Sequence, residues 1–190
     1  MSSNRETELP ATVWTIGHST RALDDFIGVL QAHGIKLLAD VRLLPGSKRY
    51  PHFNNDVLET ALASSGISYE HFRDLGGRRR PRSDSRNTAW RNDAFRGYAD
   101  HMETPVFAAA VARLLTSATE RPTTIMCAEA VWWRCHRGLV SDYLKARGID
   151  VRHIADSNKA DPHTWTSAAK LIDGRLSYAA AADELTLPLN

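Results

Sequence analysis

Residues 12–41 read TVWTIG-HSTRA-LDDFIGVLQAHG-IKLLADV. Thr12 to Ile16 has the composition of a strand, and Gly17 stops it. Leu23, Phe26, Ile27 and Leu30 then recur at helical spacing until His33-Gly34 closes the helix. Ile35 to Val41 is apolar at both parities, as a strand covered on both faces must be. One stretch of thirty residues therefore carries a strand, a helix and a buried strand. That is the repeating unit of a parallel sheet.

The alternation continues outward. Val57, Leu58, Ala61 and Leu62 mark a second helix, capped by Asn54, Asn55 or Asp56. Ile67 to Phe72 follows as a third strand, ended by Gly76-Gly77. Residues 78–91 have no periodicity and are expected to be loop. Helices are expected near Ala94–Met102 and Pro105–Ser117, the second opened by a proline suited to a first helical turn. Thr123 to Met126 is a fourth strand. His136, Leu139, Val140, Tyr143 and Leu144 share one helix face up to Gly148, and Ile149 to Ile154 is a fifth strand. A last helix is expected around Trp165–Leu171. The predicted fold is α/β: one open, mostly parallel sheet of about five strands with helices on both faces, Rossmann-like in class. The domain is expected over residues 12–178, between a flexible N-terminal tail (1–11) and a peripheral C-terminal tail (179–190).

Composition agrees with one globular domain. Of the 190 residues, 43% are apolar and 24% charged, which excludes wholesale disorder, and a net charge of +2 excludes a uniformly basic polyanion binder. Two cysteines cannot form a disulfide framework and suit a reducing cytosol. Met1–Pro10 lacks the apolar stretch of a secretory signal, and no apolar run approaches the ~20 residues of a membrane span. A cytoplasmic protein without membrane contact is expected.

In open α/β sheets ligands bind outside the carboxyl ends of the strands. The residues expected there are Gly17-His18-Ser19, Asp40-Val41-Arg42, His71, Cys127-Ala128-Glu129 and His153. Asp40 and Arg42 close a buried strand, where an unpaired charge is costly, so they either pair or face a ligand. The densest chemistry is CAEAVWWRCHR, Cys127 to Arg137, joining the fourth strand to the next helix. A helix N-terminus there favours an anion and a more acidic thiol. A cysteine phosphatase loop is excluded by register, because the sixth residue after Cys127 is Trp133 rather than arginine. A zinc site would use Cys127, Cys135 and a histidine at a non-standard spacing, and a disulfide between the cysteines requires the turn to fold back. His136 also suits a purely structural place on the apolar helix face.

The second feature is an arginine loop. Residues 73–91 hold Arg73, Arg78, Arg79, Arg80, Arg82, Arg86 and Arg91 against only Asp74 and Asp84. Arginine beside Trp90 and Tyr98 suits phosphate forks and base stacking. Gly76 and Gly77 would let the loop approach a backbone or phosphate closely.

The ordered set TIGHS (Thr15–Ser19), DVR…PGS (Asp40–Ser47), YEH (Tyr69–His71), LGG (Leu75–Gly77), Tyr98-Ala99, MCAE…CHR (Met126–Arg137), His153-Ile154 and Pro162-His163 resembles the domain of unknown function 488 family. The resemblance spans about residues 12–178 and implies an α/β protein with a polar cleft, with a tilt toward DNA repair or modification. It adds Ser47 and Tyr69 to the candidate site. The expectation is an enzyme acting on nucleic acid or a nucleotide at a base or glycosidic bond. Asp40, Glu129, Cys127 and His18 are its catalytic candidates. Ser19, Arg42, Ser47, Tyr69, Gly76, Gly77, Arg78, Arg79, Arg80, Trp90, Tyr98, Cys135, His136, Arg137 and His153 are expected to hold substrate. No cofactor and no metal are assigned. The alternatives are a non-catalytic nucleic-acid or nucleotide-binding module, and a thiol redox or zinc protein using Cys127 and Cys135. Trp132, Trp133 and Trp165 leave a homodimer open.

Overall fold

The strand β1 (Thr12–Gly17) lies inside a six-stranded sheet, hydrogen-bonded in parallel to β4 (Thr123–Cys127) on one side and β5 (Asp150–Asp156) on the other. The computed structural model describes residues 9–180. With β2 (Leu37–Asp40), β3 (Ser68–His71) and β6 (Lys159–Pro162), the sheet order is β3-β2-β4-β1-β5-β6. The first five strands are parallel, and β6 is an antiparallel edge. The order differs from the doubly wound 3-2-1-4-5-6 arrangement by exchange of the two central strands.

The apolar residues at both parities separate onto the two faces. Val13, Ala39, Ile125 and Val151 join one core, with α3 (Asp93–Met102), α4 (Pro105–Glu120) and α5 (Arg137–Lys145). Ile16, Leu38, Met126 and Ile154 join the other, with α1 (Leu23–Ala32) and α2 (Asn55–Ser64). Burial of two such faces is the main favourable term holding the sheet.

Pro105 stands in the first turn of α4, as expected. Thr104 Oγ1 accepts from the Phe107 amide ahead of Pro105, and Asn92 Oδ1 caps α3 through Ala94 and Phe95. Asn54 stands at the cap position of α2, but its Oδ1 accepts from the Ser47 amide at 2.6 Å. It fastens the preceding loop instead of the helix.

The expected helix around Trp165–Leu171 does not form. The Asp142 carboxylate on α5 accepts from the Thr166 amide (3.0 Å) and the Thr166 hydroxyl, which ties that backbone to another element. Beyond it, β7 (Lys170–Ile172) and β8 (Arg175–Ser177) form a hairpin. The hairpin leads to Tyr178, which is 3% exposed and donates from its hydroxyl to Asp142. The expected tails, residues 1–11 and 179–190, lie for the most part outside the described residues. Among the described residues no helix is long and apolar enough to cross a membrane.

Candidate functional site

The chain leaves β2 toward β3 and leaves β4 toward β5, in opposite directions along the sheet. Adjacent parallel strands whose connections diverge leave a crevice at their carboxyl ends. A cleft of about 380 Å³ opens there. It is bounded by Arg42–Leu44 after β2, Gly77 and Arg78 after β3, Ala94 and Phe95 at the start of α3, Cys127–Glu129 after β4, and Arg134–His136. A second cavity, of about 330 Å³ beneath the β7–β8 hairpin, holds none of the expected site residues.

Asp40 and Arg42 pair with each other. Asp40 is fully buried and Arg42 is 7% exposed. Arg42 Nε donates to Oδ1 at 2.9 Å, its terminal nitrogen and backbone amide add two more bonds, and the Tyr69 hydroxyl donates to Oδ2 at 2.8 Å. Burial, and then the Asp40 charge, push the Tyr69 phenol upward. The carboxylate is thus consumed by fixed partners, and it does not line the cleft. His18 lies behind Arg42, stacked on Phe53 at 4.1 Å, with Nδ1 donating to its neighbour Ser19's carbonyl at 3.0 Å. Desolvation, reinforced by the Arg42 charge, lowers its pKa to about 4, so the ring is neutral at pH 7.

Gly17 sets the approach of the first strand to the Cys127–Glu129 turn. A Cβ there would sit 1.9 Å from the Glu129 carbonyl oxygen. The His18 and Ser19 amides donate to the Cys127 and Ala128 carbonyls, so these two amides are spent on the neighbouring turn. Ser19 itself has a positive φ of 50°. Arg137, 1% exposed, donates to the Glu129 carbonyl and to Thr15 Oγ1. Its Nε is buried without a partner, and no carboxylate pairs with it among the described residues. It braces the turn from inside.

The outer wall is different in kind. Glu129, Arg134 and Arg78 are exposed, and neither arginine has an acidic partner among the described residues. Arg78 follows Gly77 with a φ of 60°, a left-handed conformation uncommon for a residue with a Cβ. Cys127 and Cys135 are buried and free. Hydrogen bonding between the thiols pulls Cys135 well below the ordinary thiol range and, with burial, pushes Cys127 up. His136 Nε2 donates to the Val41 carbonyl at 3.0 Å, which leaves Nδ1 as an acceptor 3.6 Å from Cys135 Sγ.

Other expected binders are occupied. Tyr98 is fully buried and donates to the Leu75 carbonyl at 2.7 Å, so no stacking face remains. Trp90 packs between Phe95 and Tyr178. Gly76 is held between Arg73 and Leu43 backbone, and Gly77 lies under the His136 ring. Arg79 Nε donates to the Gly76 carbonyl, Arg82 pairs with Glu103, and Arg80 is exposed. Ser47 Oγ accepts from the Tyr50 amide at 3.1 Å.

His153 is not at the rim. It pairs in register with Thr15 inside the sheet and stacks on Trp132 at 4.4 Å. Thr15 Oγ1 donates to His153 Nδ1 (2.7 Å), His153 Nε2 to His163 Nδ1 (2.9 Å), and His163 Nε2 to Asp142 (2.9 Å). The tautomers follow from the carboxylate at the end of the chain, which can only accept. Burial, then His163, lowers the His153 pKa to about 3.

Arg134 was not among the expected residues. Its only signal was a second arginine in the CAE–CHR stretch, and the 3-10 turn Trp132–Arg134 that aims it is set by tertiary contacts. His163 and Asp142 were likewise missed as partners, since nothing in their 21-residue separation reveals their pairing.

The fold and its rim cleft define an α/β protein whose site combines two thiols, an imidazole, a carboxylate and two guanidinium groups, the last three without ion-pair partners among the described residues. Residues 22–144 match the sequence profile described as Domain of unknown function DUF488, more than half of the chain, and the protein belongs to that family. No curated protein and no solved structure gives a significant match.

Proposed function

We propose that the protein acts on a nucleotide or a nucleic-acid segment, held in the cleft by its phosphate. The observation that carries this is that Arg78 and Arg134, two exposed guanidinium groups without acidic partners among the described residues, line the same cleft as Cys127, Cys135 and His136. Unpaired guanidinium forks suit phosphate oxygens in bidentate contact. Glu129, exposed on the same wall, is the general acid or base of a hydrolase or lyase type of reaction. Asp40 and His18 serve as positioning residues: the buried ion pair fixes the strand end that presents Leu43 and Leu44 to the cleft. Trp133, 58% exposed and next to Arg134, takes over the stacking role first expected of Trp90 and Tyr98. The exposed Arg73, Arg80, Arg86 and Arg91 extend the positive surface for a longer strand. The two free thiols suit a cytoplasmic setting.

The test is binding of a labelled mononucleotide and of single- and double-stranded oligonucleotides across a salt series. Replacing Arg78 and Arg134 by alanine is expected to weaken binding and flatten the salt slope by about 1–2. Glu129→Gln is expected to leave binding intact and to abolish product formation, read by mass analysis of the incubated oligonucleotide. Absence of binding at low salt, or a slope unchanged by the double replacement, would overturn the reading.

A further inference from the structure

Cys127 ends β4, and Cys135 follows the 3-10 turn Trp132–Arg134 with His136 beside it. That turn folds the two cysteines together, and one ligand atom from each of Cys127, Cys135 and His136 lies within 4.8 Å of the others. We propose that these three side chains bind one zinc ion and leave its fourth position open to the cleft.

Three observations support this set of donors. The first is the imidazole tautomer: with Nε2–H held by the Val41 carbonyl, the Nδ1 lone pair faces Cys135 Sγ at 3.6 Å. A tetrahedral ion with Zn–S of about 2.3 Å and Zn–N of about 2.0–2.1 Å needs that sulfur–nitrogen edge to be about 3.6 Å. A backbone carbonyl fixing the distal nitrogen is the usual support of a metal-bound histidine. The second is the room left at Nδ1. A Cβ on Gly77 would lie 2.7 Å from that atom, so only glycine keeps the lone pair accessible, while the Tyr98 ring holds the imidazole from another side at 5.0 Å.

The third is the position of the set against the cleft. All three residues border the cleft. Sites with three protein ligands and an open position are the catalytic kind of zinc site, whereas structural sites are closed by four. Two sulfurs and an imidazole select zinc over magnesium or calcium, which prefer oxygen. The donor set stands on its own geometry, whatever anion the cleft takes. Only its use, polarising a bound water or phosphoryl oxygen beside Glu129, rests on the functional reading above.

The test uses the full chain, reduced, stripped with a chelator and titrated with cobalt(II), then with zinc. One equivalent of cobalt is expected to give a thiolate-to-metal charge-transfer band and the intense visible bands of a tetrahedral ion, both removed by one equivalent of zinc. X-ray absorption of the zinc form is expected to show two sulfur and two lighter ligands. Cys135→Ser, shown folded by circular dichroism, is expected to lose the charge-transfer intensity of one thiolate. Gly77→Ala, whose Cβ presses on Nδ1, is expected to weaken binding by about 10–100-fold. No cobalt uptake by the reduced chain, a spectrum unchanged in folded Cys135→Ser, or a zinc shell without sulfur would each overturn the proposal. Where the variants fail to fold, the zinc shell of the wild-type chain decides alone. Nucleotide binding is read separately on metal-free and zinc-loaded protein, so the two readings fail independently.

Discussion

Replacing Asp40 by asparagine separates a structural ion pair from a catalytic carboxylate. The residue is fully buried, and Arg42 beside it is 7% exposed. The carboxylate accepts from the Arg42 side chain, the Arg42 amide and the Tyr69 hydroxyl. Asparagine keeps an acceptor for the amide or the phenol but removes the counter-charge. Breaking one partner of a buried pair costs about 3–5 kcal/mol, because the remaining charge stays buried and uncompensated. A domain of this size loses about 2–4 °C of melting temperature per kcal/mol, so Asp40→Asn is expected to melt about 6–20 °C below wild type. Adding Arg42→Met removes the orphaned charge and is expected to recover at least half of that loss. Urea denaturation followed by circular dichroism gives both free energies and their coupling. A single variant within about 1 kcal/mol of wild type, or a double variant in which the two losses add, would refute this account of the pair. A well-folded Asp40→Asn that binds ligand but makes no product would place the carboxylate in the reaction instead.

Two further outcomes follow from the interior. His153 has a native pKa of about 3 against about 6.5 when unfolded, so the unfolded chain binds the extra proton. The stability is fully present above pH 6.5 and is lost as pH falls toward 3. This group alone contributes a loss of about 2 kcal/mol between pH 8 and pH 5, read from urea midpoints; a His153→Gln variant with the same loss would refute it. Gly17→Ala forces a Cβ against the Glu129 carbonyl and is expected to cost about 3 kcal/mol or more, with loss of ligand binding as the turn shifts. An unchanged melting temperature and unchanged binding would remove Gly17 from the construction of the site.

The parallel α/β class was legible because its evidence is local. Strands apolar at both parities, helices with a 3.6-residue stripe, and the prolines and glycines between them report burial on two faces without any knowledge of partners. The same locality placed Cys127, Glu129, Cys135, His136 and Arg78 near a strand end, where the cleft indeed lies. Failures occurred where a residue's state depends on a distant partner. Tyr98 looks like a stacking surface until α3 turns it into the core, Trp90 until Phe95 and Tyr178 pack against its half-buried ring, and His153 looks like a rim residue until β1 pairs with β5 and places it beside Thr15. The segment after His163 carries helix-compatible residues, yet the Asp142 carboxylate takes its amide and hydroxyl and makes it a strap. The chain by itself determined the alternating strands and helices from β1 to β5, because propensity and periodicity act within a few residues. The tertiary structure alone decided the strand order, the Asp40–Arg42 pairing and the gathering of two thiols and an imidazole, because those depend on which surfaces meet across the sheet.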